Sequence, residues 1–329
     1  MRTDAPTQAA ILAGSAVLLV AVAGASVSVG AHAVPPAEIW RAFADFAGTD
    51  DHLIVRDVRV PRTILGICVG AALGASGTLI QTLTRNPLAE PGVLGVTAGA
   101  GFAITLGGVL GLAGSQPAQL LLAALGSALA ALVVYAVGRT SPLRLVLAGV
   151  ALSSVLAGLS LGLRLMLPDV FDTFRFWSVG SLAGREQVSL TLPLAAIAVA
   201  LVAALLVTRP LNAMVLGEQV AHALGGHTVR TRVGVLVIVT LLAGAATAVA
   251  GPIAFVGLMV PHLARRLSAG SIPWLMAHTV VLGPVMLLVS DIASRVLLPT
   301  GEVPVAIVTA FLGGPVLIWV VRRYGAVSL

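Results

Sequence analysis

Gly74-Ala75-Ser76-Gly77 spells G-x-S-G inside an apolar run, the pattern of an intramembrane serine hydrolase. Acyl transfer by such a serine needs a histidine base within reach at the same depth. His262 and His278 fall near the ends of their apolar segments, on the side to which Ser76 also leans. The chain holds 36 glycines, however, so G-x-S-G arises readily from composition alone. Here it continues the series Gly66, Gly70 and Gly74, whose spacing lines one face of a helix and lets neighbouring helices approach closely. Ser76 is therefore read as a packing residue, and the glycine series as a contact within the chain. His262, beside Pro261, is read as a hydrogen-bonded structural residue and not a metal ligand. No metal site is expected: the one cysteine, Cys68, excludes a cysteine metal site and a disulfide framework alike.

Two further chemistries are tested by what is missing. No G-x-x-x-x-G-K-[ST] phosphate loop occurs, so any ATP hydrolysis belongs to a partner. A proton-coupled carrier would need ionisable residues at mid-membrane and recognisable repeats between its halves. Arg164, Asp291 and Arg295 all lie close to the ends of their segments, and no repeat is evident. The nineteen basic residues are all arginine. They are scattered and form no stripe interleaved with aromatics, so the net charge of +6 is a membrane-flank signal and nucleic-acid binding is excluded.

The elements that must carry these residues are membrane helices. The chain is 58% hydrophobic and 10% charged, with a mean hydropathy of +1.05. A soluble protein has about a quarter charged residues. A helix needs about 20 apolar residues to cross the hydrocarbon core. Spans are expected near 9–30, 62–82, 93–112, 118–138, 145–166, 188–208, 233–251, 252–264, 272–296 and 304–321. The first is too long for the apolar part of a signal peptide and is read as a retained helix. Gly251-Pro252 splits the stretch 233–264, since proline removes a donor and clashes with the preceding turn. A short, half-buried eighth segment follows. The expected fold is all-α, a polytopic membrane helix bundle of about ten transmembrane helices forming one domain over 1–329. Arg322 and Arg323 after the last span put both termini on the cytoplasmic side. Arg41, Arg56, Arg59, Arg62, Arg164, Arg175, Arg185 and Arg295 then fall outside, more than insertion requires.

The cytoplasmic loop at about 211–232 contains Leu216 to Gly225, with Val220, Ala223 and Leu224 on one helical face and Glu218, Gln219 and His222 elsewhere. Gly225-Gly226 ends it as a C-terminal cap would. A helix lying on lipid headgroups would show a basic face. This one instead has Glu218 near its start, which suits the helix dipole and a protein contact.

RVPRTI, QTLTRNPLAEPGVLGVTAGA, SPLRLVLAGVAL, FRFWSVGSLAGR, LGEQVAHALG, GPIAFVGLMVPHLARR and SDIASRV with VPVAIVTAFLGGPVLIW occur in this order from about Arg56 to Arg323. Together they resemble the permease subunit of ATP-driven type II importers for vitamin B12, haem and iron siderophores. PDVFDTFRFWSVGSLAGR looks most like the ferric enterobactin type. The resemblance implies a permease dimer, from an identical copy or a paralogue, with two cytoplasmic ATPases. It also implies an extracytoplasmic substrate-binding protein and an iron chelate as cargo. ATP and Mg are expected on the ATPases and no cofactor on this chain, which would sit in the cytoplasmic membrane. Leu216, Gly217, Glu218, Ala221, Leu224 and Gly225 match the ATPase-coupling helix. Arg59, Arg62 and Arg295 match outward arginines that receive acidic side chains of the binding protein; arginine meets a carboxylate bidentately. Thr140 and Ser141 match a cytoplasmic gate, and small polar residues there would also start the fifth span.

Overall fold

A computed structural model describes residues 5–138, 141–184, 190–215, 227–298 and 301–324. Among the described residues every regular element is helical, and each expected span coincides with a helix. The elements are α1 (Ala5–Ser28), α2 (Pro36–Ala44), α3 (Asp50–Leu53), α4 (Val60–Thr84), α5 (Val96–Val109), α6 (Gln116–Gly138) and α7 (Pro142–Met166). They continue as α8 (Pro168–Ser178), α9 (Thr191–Val215), α10 (Thr228–Ala250), α11 (Val256–Arg265), α12 (Ile272–Val296) and α13 (Val305–Tyr324). A π-turn over Ile54–Arg59 joins α3 to α4. Among the described residues, seven helical stretches are long and apolar enough to cross a membrane.

Helix α4 is the axis of the bundle. It is buried almost continuously from Arg62 to Thr82 and packs against α9, α10, α11 and α12. The glycine series explains how. A Cβ at Gly70 would lie 2.7 Å from the Gly283 carbonyl and from Pro284 of α12, and one at Gly74 would lie 2.8 Å from the Thr279 carbonyl. A Cβ at Gly77 would collide with the Gly257 carbonyl. The series is a contact within the chain, as read from the sequence. Thr78 Oγ1 donates to Thr279 Oγ1 at 3.0 Å across the same seam.

Of the helices that occupy the expected spans, α5 and α11 are too short to cross alone. At 1.5 Å per residue, the ten residues of α11 span about 15 Å and the fourteen of α5 about 21 Å, against a core of about 30 Å. Helix α10 ends at Gly251 (φ 74°), residues 251–254 are non-helical, and left-handed Phe255 (φ 70°) opens α11. The predicted Gly251-Pro252 break is therefore real.

The turn Asn86–Pro91 folds back into the bundle. Left-handed Arg85 ends α4, and Asn86 N–H closes the end on the Gln81 carbonyl. The chain then runs back along α4 instead of staying at the bundle's edge. A Cβ at Gly257 would meet Leu73 O at 3.0 Å and Pro91 Cδ at 3.2 Å, which puts Pro91 level with the middle of α4. A 3-10 turn, Pro91–Leu94, leads into the shortened α5.

Helix α1 buries only Gln8 and Ser26. It is fastened by polar contacts near its two ends. His278 Nε2 meets Gln8 Oε1 at 3.2 Å, and Ser26 Oγ meets Thr63 Oγ1 at 2.8 Å.

Candidate functional site

The arginines singled out by type and position meet at one end of the bundle. Pro61 in the first turn of α4 sets the helix start and puts Arg59 and Arg62 at its head. Asp291 and Arg295, four apart on α12, share one face beside them. Arg62 donates through Nε (3.1 Å) and Nη2 (2.8 Å) to Asp291 Oδ1, and through Nη1 to Glu302 Oε2 at 2.8 Å. Arg295 Nη2 pairs with Asp291 Oδ2. Asp291 is fully buried, so two guanidinium groups must neutralise it there; an unpaired buried carboxylate would be expensive.

Arg59 uses neutral partners. Its Nη1 donates to the Val27 (3.1 Å) and Ser28 (2.6 Å) carbonyls and its Nη2 to the His32 carbonyl. Arg295 Nη1 adds the Ser26 (2.7 Å) and Val29 (3.1 Å) carbonyls. The Ser26, Val27 and Ser28 carbonyls are end carbonyls of α1 that no helical donor reaches, at the negative end of its dipole, and Val29 and His32 follow just after the helix. A Cβ at Gly30 would fall 2.9 Å from the Arg59 guanidinium, so only glycine leaves it room.

Arg59, Arg62 and Arg295 are thus one cluster, yet none stands free: they are 4, 6 and 3% exposed. Asp291 was noted in the sequence only for its depth and Glu302 not at all. Their separations from Arg62, 229 and 240 residues, carry no local signal. At the same end Arg56 is exposed and lies over the Phe46 ring at 4.6 Å. Arg164 lies over Phe174 at 3.9 Å and caps its own helix through the Ser160 carbonyl.

The opposite end of α4 is a smaller polar junction. Gln81 Nε2 donates to the Gly257 and Leu258 carbonyls, both at 3.2 Å, and its Oε1 accepts from Arg265 Nη2 at 2.7 Å. Arg85 Nη2 donates to the Met214 carbonyl at 3.0 Å, tying α4 to the end of α9. The coupling residues Leu216, Gly217, Glu218, Ala221, Leu224 and Gly225, and the gate residue Thr140, lie outside the described residues. Ser141 caps α7, its Oγ accepting from Arg144 N–H at 3.2 Å.

Ser76 is fully buried and its hydroxyl donates to the Leu73 carbonyl at 3.0 Å. His278 is engaged with Gln8, so the serine has neither access nor a base there. His262 is buried too, but among the described residues neither ring nitrogen has a hydrogen-bond partner. The expected hydrogen-bonded histidine is not observed. Among the described residues no group of three or more possible metal ligands occurs.

A cavity of about 270 Å³ opens where the two short helices begin, lined by Leu73, Glu90, Thr97, Thr247 and the unwound residues 252–254. Irregular backbone at such depth occurs where it is enclosed by protein or lines a cavity. Glu90 accepts the Phe255 N–H beside this cavity. The sequence reading missed Glu90 because NPLAEP has the composition of a surface turn.

A polytopic helical bundle with a glycine-sealed axis, two interrupted helices around an internal cavity and ions gathered at one end is built as a membrane transport subunit. The FecCD transport family matches residues 18–323, and the chain belongs to it. The ferric enterobactin transport system permease protein FepD of Escherichia coli K12 is 45% identical over 324 residues, 97% of each chain. The hemin transport system permease protein HmuU of Yersinia pestis is 34% identical over 93% of each. An inward-facing structure of a metal-chelate type ABC transporter superposes with a TM-score of 0.83 at 28% identity, covering 96% of this chain and 99% of the other.

Proposed function

We propose that the chain is the membrane-spanning permease of an ATP-driven importer that carries a ferric siderophore across the cytoplasmic membrane. The observation that carries this reading is the 45% identity to the ferric enterobactin permease along 97% of both chains. Two permeases, identical or paralogous, form the pathway, and two ATPases holding ATP and Mg drive it. This chain contributes a single permease domain over 1–329 and binds no cofactor of its own. The Arg62 end faces outward and both termini lie in the cytoplasm, in keeping with the arginine pair at 322–323.

An extracytoplasmic binding protein docks at the arginine end. Arg62 is the member whose pairing reaches a half-exposed carboxylate, Glu302. Arg59 and Arg295 act behind it by holding the end of α1. At the other end Leu216, Gly217, Glu218, Ala221, Leu224 and Gly225 form the ATPase contact of the coupling loop at about 211–232, and Thr140 with Ser141 line the gate. The low charge of the spans suits a large chelate carried past without tight binding.

The test is uptake of radiolabelled iron into proteoliposomes containing the permease, its ATPase and its binding protein. ATP-dependent entry of a ferric catecholate is expected; entry of haem or cobalamin but of no ferric siderophore would overturn the substrate. Glu218→Arg or Leu224→Arg should abolish uptake while leaving the folded protein in the membrane. Unchanged uptake would remove the loop from coupling.

A further inference from the structure

The charge cluster has an asymmetry that docking alone does not require. Asp291 is fully buried and bridges Arg62 and Arg295, so it is a fixed part of the bundle. Glu302 holds Arg62 through one nitrogen, at 2.8 Å, and keeps 33% of its side chain exposed. Arg62 and Arg295 share Asp291, whereas Arg59 is bonded to carbonyls and has Asp51 as its nearby carboxylate. The cluster therefore has one fixed carboxylate, Asp291, and one that can leave, Glu302.

Glu302 is also joined to a helix. It lies three residues before α13, in a segment fixed by Val303 N–H on the Ser294 carbonyl (3.0 Å) and Ala306 N–H on the Gly180 carbonyl (3.1 Å). Farther along, Gly313 of α13 packs against Phe255, whose N–H is accepted by Glu90 at the cavity. Whatever displaces Glu302 acts on the start of α13.

We propose that Glu302 is an internal stand-in for a carboxylate of the binding protein, and that docking exchanges the two on Arg62. This rests on the docking role proposed above for Arg62. The exchange keeps the guanidinium neutralised in both states, so the undocked permease presents no uncompensated buried arginine. It adds no net ion pair, which keeps docking reversible and leaves Glu302 released as the signal that reaches α13.

The experiment measures affinity between the permease–ATPase complex in nanodiscs and the binding protein that delivers its ferric siderophore, using Glu302→Gln, Asp57→Asn and Arg62→Gln. Asp57 is exposed at the same end and does not touch Arg62, so its variant controls for general electrostatic attraction. Removing the competing charge should tighten docking about fivefold in Glu302→Gln, the scale of a partly exposed ion pair. Asp57→Asn should tighten it by less than about twofold. Amides of Val303 and Ala306 should exchange faster on docking in the native protein and be fast beforehand in Glu302→Gln. Equal tightening by both neutral variants, or amide exchange indifferent to docking, would overturn the exchange. Docking unaffected by Arg62→Gln would overturn the docking role itself. Weaker docking in Arg62→Gln, without tightening in Glu302→Gln, would leave the docking role standing and remove the exchange alone.

Discussion

Along the middle of α4 the contact with α12 is backbone against backbone; at its first turn the contact is guanidinium against carboxylate. Gly70 and Gly283 leave no room between the helices, and the carbonyls of Gly283 and Thr279 take the space that side chains would fill. About 12 Å of helix away, by the rise from Gly70 to Arg62 at about 1.5 Å per residue, Arg62, Asp291 and Arg295 keep the same helices together by charge. The glycine seam depends on shape and has one solution. The ionic end depends on charge balance, and a different carboxylate can satisfy it. A transporter needs both kinds of contact: a fixed axis to hold the bundle, and an end that another protein can alter.

The largest effect should come from breaking the seam. Gly70→Leu or Gly283→Leu forces side-chain atoms into backbone. The cost should exceed about 3 kcal/mol, and the protein should fail to elute as a single species in detergent. Gly158→Ala is the control, since its Cβ would meet nothing within 4 Å. Wild-type behaviour of the seam variants would end the comparison. Next, Asp291→Leu leaves Arg295 without its carboxylate and Arg62 with Glu302 alone, and should cost about 3–5 kcal/mol, read as a lowered thermal midpoint in detergent. If that midpoint holds, the glycine seam alone secures the two helices. The smallest change is Ser76→Ala within the seam. Its hydroxyl is turned onto its own helix, so stability should move by less than about 0.5 kcal/mol and uptake should stay near normal. A large loss of uptake would restore a chemical role to this serine.

Much of this contrast was legible in the sequence, for physical reasons. Apolar length gave ten segments, and each is a helix. Gly251-Pro252 marked a break because a chain without a donor there cannot continue the ladder. The spacing of Gly66, Gly70 and Gly74 declared one face of α4, though not which helix it met. The arginines were found because charge at a span end is rare enough to notice. Their burial was not foreseen, because Glu302 sits 240 residues from Arg62. The return of Glu90 toward mid-bundle was equally hidden, since asparagine, prolines and a glutamate look alike in a surface turn and in an enclosed one.

The way α1 is fastened has a consequence in time. Its buried polar groups, Gln8 and Ser26, find partners on α12: His278 lies 270 residues later and Arg295 lies 269 residues later. At about 5–20 residues per second, synthesis separates the two halves of each contact by roughly 15 to 50 s. The first helix is therefore secured in two stages: Thr63 and Arg59 reach its end soon after it is made, and α12 completes the attachment much later. For that interval α1 lacks its contacts to α12, and its attachment is complete only once that late helix has been made.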